Sequence, residues 1–209
     1  SLIEEMSLVE KLDGITDTLY LGGGTPSVLT KGQIQMLYQQ AFQLFRMAPD
    51  TEITMEINPG TVTYEYLSFL RKTGINRINI GIQSFAADAL KLLGRIHTPK
   101  QAIRVIHDAR QAGFENIGLD LIFGIPGQSR AAWQIDLETA LTFSPEHLAC
   151  YLLSFEPGTL FDRKMKSGTI KPLSEQDQAD LFQDTQRILG MAGYEQYEIA
   201  NFAKISTDN

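Results

Sequence analysis

Thr18-Leu19-Tyr20-Leu21-Gly22-Gly23-Gly24-Thr25-Pro26-Ser27 is the stretch from which the fold is read. Residues 18–21 form a short apolar, strand-like run, and three glycines break it. Thr30 and Gln33 then stand at capping-box spacing. Ile34, Leu37, Tyr38, Ala41, Phe42 and Phe45 follow on one helical face. A strand, a glycine turn and a capped amphipathic helix are the opening of a βα unit.

The same order recurs outward from this stretch. Residues 52–57 read as a strand stopped by Asn58-Pro59-Gly60. Thr63 caps a helix through Thr73, with Glu65 in its first turn, Arg71 and Lys72 in its last, and Gly74 closing it. Residues 76–84 alternate as a strand, and Thr98-Pro99 is an N-cap followed by proline at the first helical position. Ala102, Val105, Ile106, Ala109 and Ala112 make that helix's buried stripe. Residues 116–125 are a strand stopped by Pro126-Gly127, and Ser129 caps a helix carrying Trp133, Leu137 and Leu141. Residues 147–155 form an apolar strand; Ser174 and Asp177 open a helix with Leu181, Thr185, Leu189 and Ala192 inward; residues 194–202 are read as one more strand. Strand–helix alternation at this spacing implies parallel strands in an α/β fold. Both a barrel and a doubly wound sheet satisfy it. A barrel or partial barrel is favoured, because polar residues recur at the C-terminal end of each strand.

Composition narrows the classes. The 209 residues are 43% hydrophobic and 21% charged, which suits one folded domain or a large piece of one and excludes disordered and fibrous chains. The net charge of −7 opposes a nucleic-acid or anionic-membrane role, which needs clustered lysine and arginine. No apolar run approaches the roughly 18 residues of a membrane span. The single cysteine, Cys150, excludes an internal disulfide and a cysteine-held cluster within this chain. It fits a reducing compartment, and the expected location is cytoplasmic.

The chemistry-bearing candidates lie at the strand ends. Gly22, Gly23 and Gly24 let backbone N–H groups approach a ligand, as in an anion-binding nest, although the same glycines serve a plain tight turn. No Gly-Lys-Ser/Thr follows, and Ser27 stands where a dinucleotide fingerprint has its last glycine. Glu56 and Gln83 end their strands, and Asp120 lies inside an apolar one, where a carboxylate must be paired or face a polar cavity. Arg95 carries the fork that grips a carboxylate. His97, His107 and His147 lack metal-ligand spacing, and Cys150 reads as an inert core thiol. Tyr194 and Tyr197 are read as core packing rather than as groove residues.

These motifs together resemble a known family. Leu21-Gly22-Gly23-Gly24-Thr25-Pro26-Ser27, Glu56-Ile57-Asn58-Pro59-Gly60, Gly81-Ile82-Gln83-Ser84-Phe85 and the run from Asp120 to Gln128 are similar to radical S-adenosylmethionine proteins of the oxygen-independent coproporphyrinogen III oxidase-like group. Glu156-Pro157-Gly158-Thr159 and the run from Tyr197 to Lys204 extend the match, and the forms at residues 81–85 and 197–204 resemble the HemW-type heme-chaperone branch more than the oxidase. The resemblance implies a partial (β/α)6 TIM-like barrel over residues 1–209 that holds S-adenosylmethionine at its C-terminal face. It implies that Gly22, Gly23, Gly24, Thr25, Glu56, Gln83, Arg95 and Asp120 contact this cofactor. Arg95 suits its carboxylate; Glu56 and Asp120 suit its ammonium or ribose hydroxyls.

One departure is large. The family holds a [4Fe–4S] cluster on a C-x3-C-x2-C loop after its first barrel strand, and that loop does not occur here. The expectation is a radical S-adenosylmethionine core lacking the first strand and cluster loop, and lacking the family's C-terminal region with its His-Asn…Tyr-Trp motif. Either its cluster cysteines lie upstream of Ser1, the favoured expectation, or this member is degenerate; in both cases this polypeptide alone is expected not to cleave the cofactor. An unpaired strand edge would favour a homodimer or aggregation. The implied partners are the small-molecule cofactor, heme or a porphyrinogen, and a recipient hemoprotein. Two functions stand side by side: heme binding and delivery, or anaerobic decarboxylation of coproporphyrinogen III. A fourth upstream cysteine, C-x3-C-x2-C-x-C, would favour the oxidase. An unrelated barrel enzyme with a phosphate site at the glycine turn is the third reading.

Overall fold

The structure, a computed structural model, describes residues 2–8 and 14–205. The chain divides into two compact units, Ser1–Ile80 with Arg104–Asn116 and Gly81–Ile103 with Ile117–Asn209.

The first unit opens with helix α1 (Leu2–Ser7), then strand β1 (Ile15–Leu21) and a short 3-10 turn at Pro26–Val28. Helix α2 (Lys31–Leu44) begins with the expected capping box: Thr30 accepts from the Gln33 N–H, and Gln33 accepts from the Thr30 N–H. Ile34 and Ala41 are its buried positions, whereas Phe42 is exposed, so the predicted stripe is narrower than its spacing allowed. Strand β2 (Arg46–Ile57) lies parallel to β1 and starts earlier than the apolar pattern predicted. The register shifts between Thr16 and Thr18, and the Thr51 hydroxyl donates to the carbonyls of Thr16 (3.0 Å) and Ala48 (2.8 Å) there. That bond secures a bulge inside a segment whose Pro49-Asp50 reads as loop. Beyond it Ile53, Met55 and Ile57 alternate into the core. Helix α3 (Tyr64–Thr73) is capped by Thr63 and closed by Gly74 at φ 113°.

Strand β3 (Arg77–Gln83) runs from one unit into the other, and its first four residues pair parallel with β2. Helix α4 (Ala87–Leu92), which the sequence pattern did not show, follows it. Helix α5 (Pro99–Gln111) is capped through Thr98 and Gln101, and buries Ala102, Val105, Ile106 and Ala109.

In the second unit strands β4 (Asn116–Phe123) and β5 (His147–Leu152) are parallel, with Asp120 opposite Ala149. Helix α6 (Arg130–Leu141), capped by Ser129, packs on helix α8 (Glu175–Met191). The fully buried Trp133 donates its Nε1–H to Thr185 Oγ1 at 2.8 Å across that contact. A further short helix, α7 (Leu160–Lys166), was also unanticipated.

The expected single strand over residues 194–202 is a hairpin: β6 (Tyr194–Gln196) and β7 (Asn201–Lys204) are antiparallel to one another, and β7 is antiparallel to β5. No glycine or proline marks the reversal. Glu198 makes it instead, accepting from the Ala200 N–H (3.1 Å) and Asn201 Nδ2 (2.9 Å). Among the described residues no helix is long and apolar enough to cross a membrane.

Candidate functional site

The sequence-predicted residues fall into two clusters, one in each unit. Gly22, Gly23, Gly24, Thr25 and Glu56 belong to the first unit; Gln83, Arg95 and Asp120 belong to the second.

In the first cluster the ends of β1 and β2 are laced together. Glu56 Oε1 accepts from the Tyr20 hydroxyl at 2.9 Å, and Oε2 accepts from the Gly23 N–H at 3.2 Å. Ser27 Oγ accepts from the Asn58 N–H (3.2 Å), its hydroxyl shares a hydrogen bond of 2.7 Å with that of Thr61, and Asn58 Nδ2 reaches Thr25 Oγ1 at 3.4 Å. Gly23 and Gly24 take positive φ values of 76° and 60°, which only glycine adopts without strain. At Gly22 the reason is space: a Cβ would meet the Tyr20 ring at 2.5 Å and Glu56 Oε1 at 2.9 Å. Tyr20, Ser27, Asn58 and Thr61 thus support the turn. Asn58 and Ser27 stand within the quoted motifs, but Tyr20 reads as an ordinary strand residue.

This geometry changes the expectation for the glycine turn. The Gly23 N–H faces a carboxylate rather than an open nest. Such a turn suits a ligand ammonium and repels a phosphate.

In the second cluster Gln83 is buried at the end of β3 with φ 68°. Arg95 follows α4, half-buried; burial holds its guanidinium below its usual value, and the nearby Asp120 charge opposes that shift. Arg95 thus lies within the electrostatic reach of the Asp120 carboxylate. His97, two residues from Arg95, is buried, with its Nε2–H donating to the Ile82 carbonyl at 3.1 Å. Burial lowers its pKa, the bond to the Ile82 carbonyl opposes that shift, and the Arg95 charge adds to it, so the net direction favours the neutral ring as a donor. Sequence reasoning gave His97 no role; only its position two residues from Arg95 pointed to one.

The remaining candidates are structural. His107 is exposed on α5. His147 Nε2 meets the exposed Tyr197 hydroxyl at 2.9 Å, whereas Tyr194 is buried and donates to the Pro145 carbonyl at 2.6 Å. Tyr197 is therefore not the core residue that was expected. Cys150 is buried in β5, and burial first, then the Asp120 charge, pushes its thiol pKa far up.

The sequence pattern of the Radical SAM superfamily matches residues 1–140, and the chain belongs to that superfamily. Its α/β fold is of the partial TIM-like class of that family. It is similar to the heme chaperone HemW of Escherichia coli (strain K12), 41% identical over 189 residues, which cover 90% of this chain and 48% of that protein. It is also similar to HemW of Bacillus subtilis (strain 168), 35% identical over 92% of this chain and 51% of that protein. Among solved structures it resembles coproporphyrinogen III oxidase HemN from Escherichia coli, a radical SAM enzyme, with a TM-score of 0.81 and 29% identity over 93% of this chain and 44% of that one. The chain spans about half the length of the curated relatives it matches.

The family implies S-adenosylmethionine and a [4Fe–4S] cluster. The residues present suit the chemistry of the first: a carboxylate at the glycine turn and, in the second unit, an arginine that feels the charge of a second carboxylate. They do not fit the second. A cluster takes thiolates, and the one cysteine here is buried with its thiol held protonated.

Proposed function

We propose that this chain binds S-adenosylmethionine through Gly22, Gly23, Gly24, Thr25, Glu56, Gln83, Arg95 and Asp120, within a cytoplasmic protein that binds heme and passes it to a hemoprotein. The observation that carries the ligand assignment is the Glu56 carboxylate directed at the Gly23 N–H, which makes the glycine turn a receptor for an ammonium. Arg95 serves the ligand carboxylate, and Asp120 both neutralises Arg95 and offers an acceptor to ribose hydroxyls. The heme role is supported by the likeness to HemW over nine-tenths of the chain. A [4Fe–4S] cluster would need cysteine ligands that these residues do not supply.

The likeness to HemN favours a second reading, decarboxylation of coproporphyrinogen III. One experiment separates the two. The complete gene product is reconstituted anaerobically with iron and sulfide. It is titrated with heme by absorbance, then incubated with coproporphyrinogen III, S-adenosylmethionine and dithionite. Heme binding without porphyrinogen consumption is the expected result. Consumption with release of CO2 moves the chain to the oxidase reading.

A further inference from the structure

Gln83 ends β3 in a conformation that side-chain-bearing residues avoid. Its φ of 68° is positive, and Ser144 is the other such non-glycine residue among those described. A backbone of this kind persists only where its surroundings hold it. Those surroundings are buried polar groups on both sides. Upstream, His97 Nε2–H donates to the Ile82 carbonyl at 3.1 Å. Downstream, Asp136 of α6 accepts from the Ser84 hydroxyl on one oxygen and from the Phe85 N–H on the other, both at 2.7 Å. Ser84 Oγ in turn accepts from the Ala86 N–H at 3.0 Å. Ser84 is 0% exposed, Asp136 2% and Gln83 6%.

A carboxylate is a costly group to place there. Its distinctive property is that both oxygens accept, so it satisfies an O–H and an N–H at once. An asparagine of the same shape turns a donor toward one of them. The chain thus uses a buried acid on one helix to fix the two residues that follow Gln83.

We infer that Asp136, acting with Ser84, is a positioning residue that holds the left-handed turn at Gln83 and so sets the direction in which the Gln83 side chain leaves the strand toward S-adenosylmethionine. This rests on the reading that Gln83 contacts that cofactor.

The test is calorimetric titration of the complete gene product with S-adenosylmethionine, alongside thermal denaturation. The variants are Gln83→Ala, Asp136→Asn, Ser84→Ala and the double variant Gln83→Ala with Asp136→Asn. Gln83→Ala is expected to weaken binding about three- to tenfold, the loss of one neutral hydrogen bond. Asp136→Asn and Ser84→Ala are expected to weaken it to a similar degree at unchanged stoichiometry. The double variant is expected to bind no more weakly than Gln83→Ala, because Asp136 acts only through that residue. Unchanged affinity in Gln83→Ala removes Gln83 from the proposed ligand set and overturns the inference with it. Weakening in Gln83→Ala, with parent affinity in Asp136→Asn and Ser84→Ala, overturns the positioning role and leaves the ligand set standing. Multiplying losses in the double variant overturn it equally. Should Asp136→Asn fail to fold, Ser84→Ala decides, since it keeps the carboxylate and its bond to the Phe85 N–H.

Discussion

Substituting Gly22 by alanine isolates the glycine turn from the rest of the fold. The new Cβ would lie 2.5 Å from Tyr20 Cε1 and 2.9 Å from Glu56 Oε1. Carbon atoms rest at about 3.5–4.0 Å, so the Tyr20 ring must retreat by roughly 1 Å and the Glu56 carboxylate with it. Tyr20 is 53% exposed, so the ring has solvent to move into. What is lost is the pair of bonds that Glu56 accepts from Tyr20 and Gly23. Both are exposed, and together they are worth about 1 kcal/mol, or a midpoint shift of about 2–4 °C in a chain of this size. A displaced Glu56 no longer meets the ligand ammonium. A hydrogen bond between charged partners is worth about 1.5–3 kcal/mol, a ten- to hundredfold loss of affinity. Calorimetric titration with S-adenosylmethionine and thermal denaturation measure the two effects separately. A large drop in affinity with a small shift in midpoint is expected. Affinity within twofold of the parent would refute the role given to Glu56, and a midpoint drop beyond about 10 °C would show that the turn is packed rather than open.

Other expectations concern the scaffold. Gly74→Ala places a side chain at φ 113° against the Tyr38 hydroxyl, and should lower stability by about 1–3 kcal/mol in chemical denaturation. Thr185→Val strands the buried Trp133 N–H, at a cost of about 1–3 kcal/mol; a double variant with Trp133→Phe should cost less than the sum. Arg130 first, then Arg187, holds Asp184 below its ordinary value, so its contribution is present above the unfolded carboxylate value and fades as pH falls through its lower folded one. The advantage of the parent over Asp184→Asn should therefore shrink below about pH 4 in denaturation midpoints. Asp136 has the opposite sign: burial raises its pKa, so its contribution is greatest below about pH 4 and falls as pH rises through the raised value. Cys150, buried with its thiol held up, should resist a thiol reagent at pH about 8 until the protein unfolds; labelling within minutes in the native state would contradict its burial.

What the sequence shows in advance is what local chemistry decides. Thr30 with Gln33, Thr63, Thr98, Ser129 and Ser174 all cap helices as read, because a cap is a contact between near neighbours in the chain. The glycine turn and Glu56 stand at the ends of β1 and β2 as read, because the residues that stop an apolar strand are a local feature. Asp136 was not. It lies between Ile135 and Leu137 on a helix and reads as a surface acid, and its partners Ser84 and Phe85 are remote in sequence. Asp184, bound to Arg130 across two helices, was hidden in the same way. The hairpin of β6 and β7 was missed for a different reason: its turn is made by a glutamate side chain rather than by glycine or proline. The early start of β2 depends on the Thr51 hydroxyl reaching Thr16 in another strand.

The charges of the proposed ligand set favour one class of small molecule. Glu56 and Asp120 bring two negative charges and Arg95 one positive, leaving one net negative charge, while Gln83 adds none. S-Adenosylmethionine carries an ammonium, a sulfonium and a carboxylate, so it brings one net positive charge. The proposed set is therefore opposite in net sign to this ligand. A phosphate ester would bring a second negative charge to a turn whose Gly23 N–H already faces Glu56. In a chain of net charge −7 the wider field adds to that penalty rather than relieving it. A phosphate held by backbone N–H groups at these glycines would have to compete with Glu56 for the Gly23 N–H, which disfavours the third reading at the turn itself, as membership of the Radical SAM superfamily does for the whole chain.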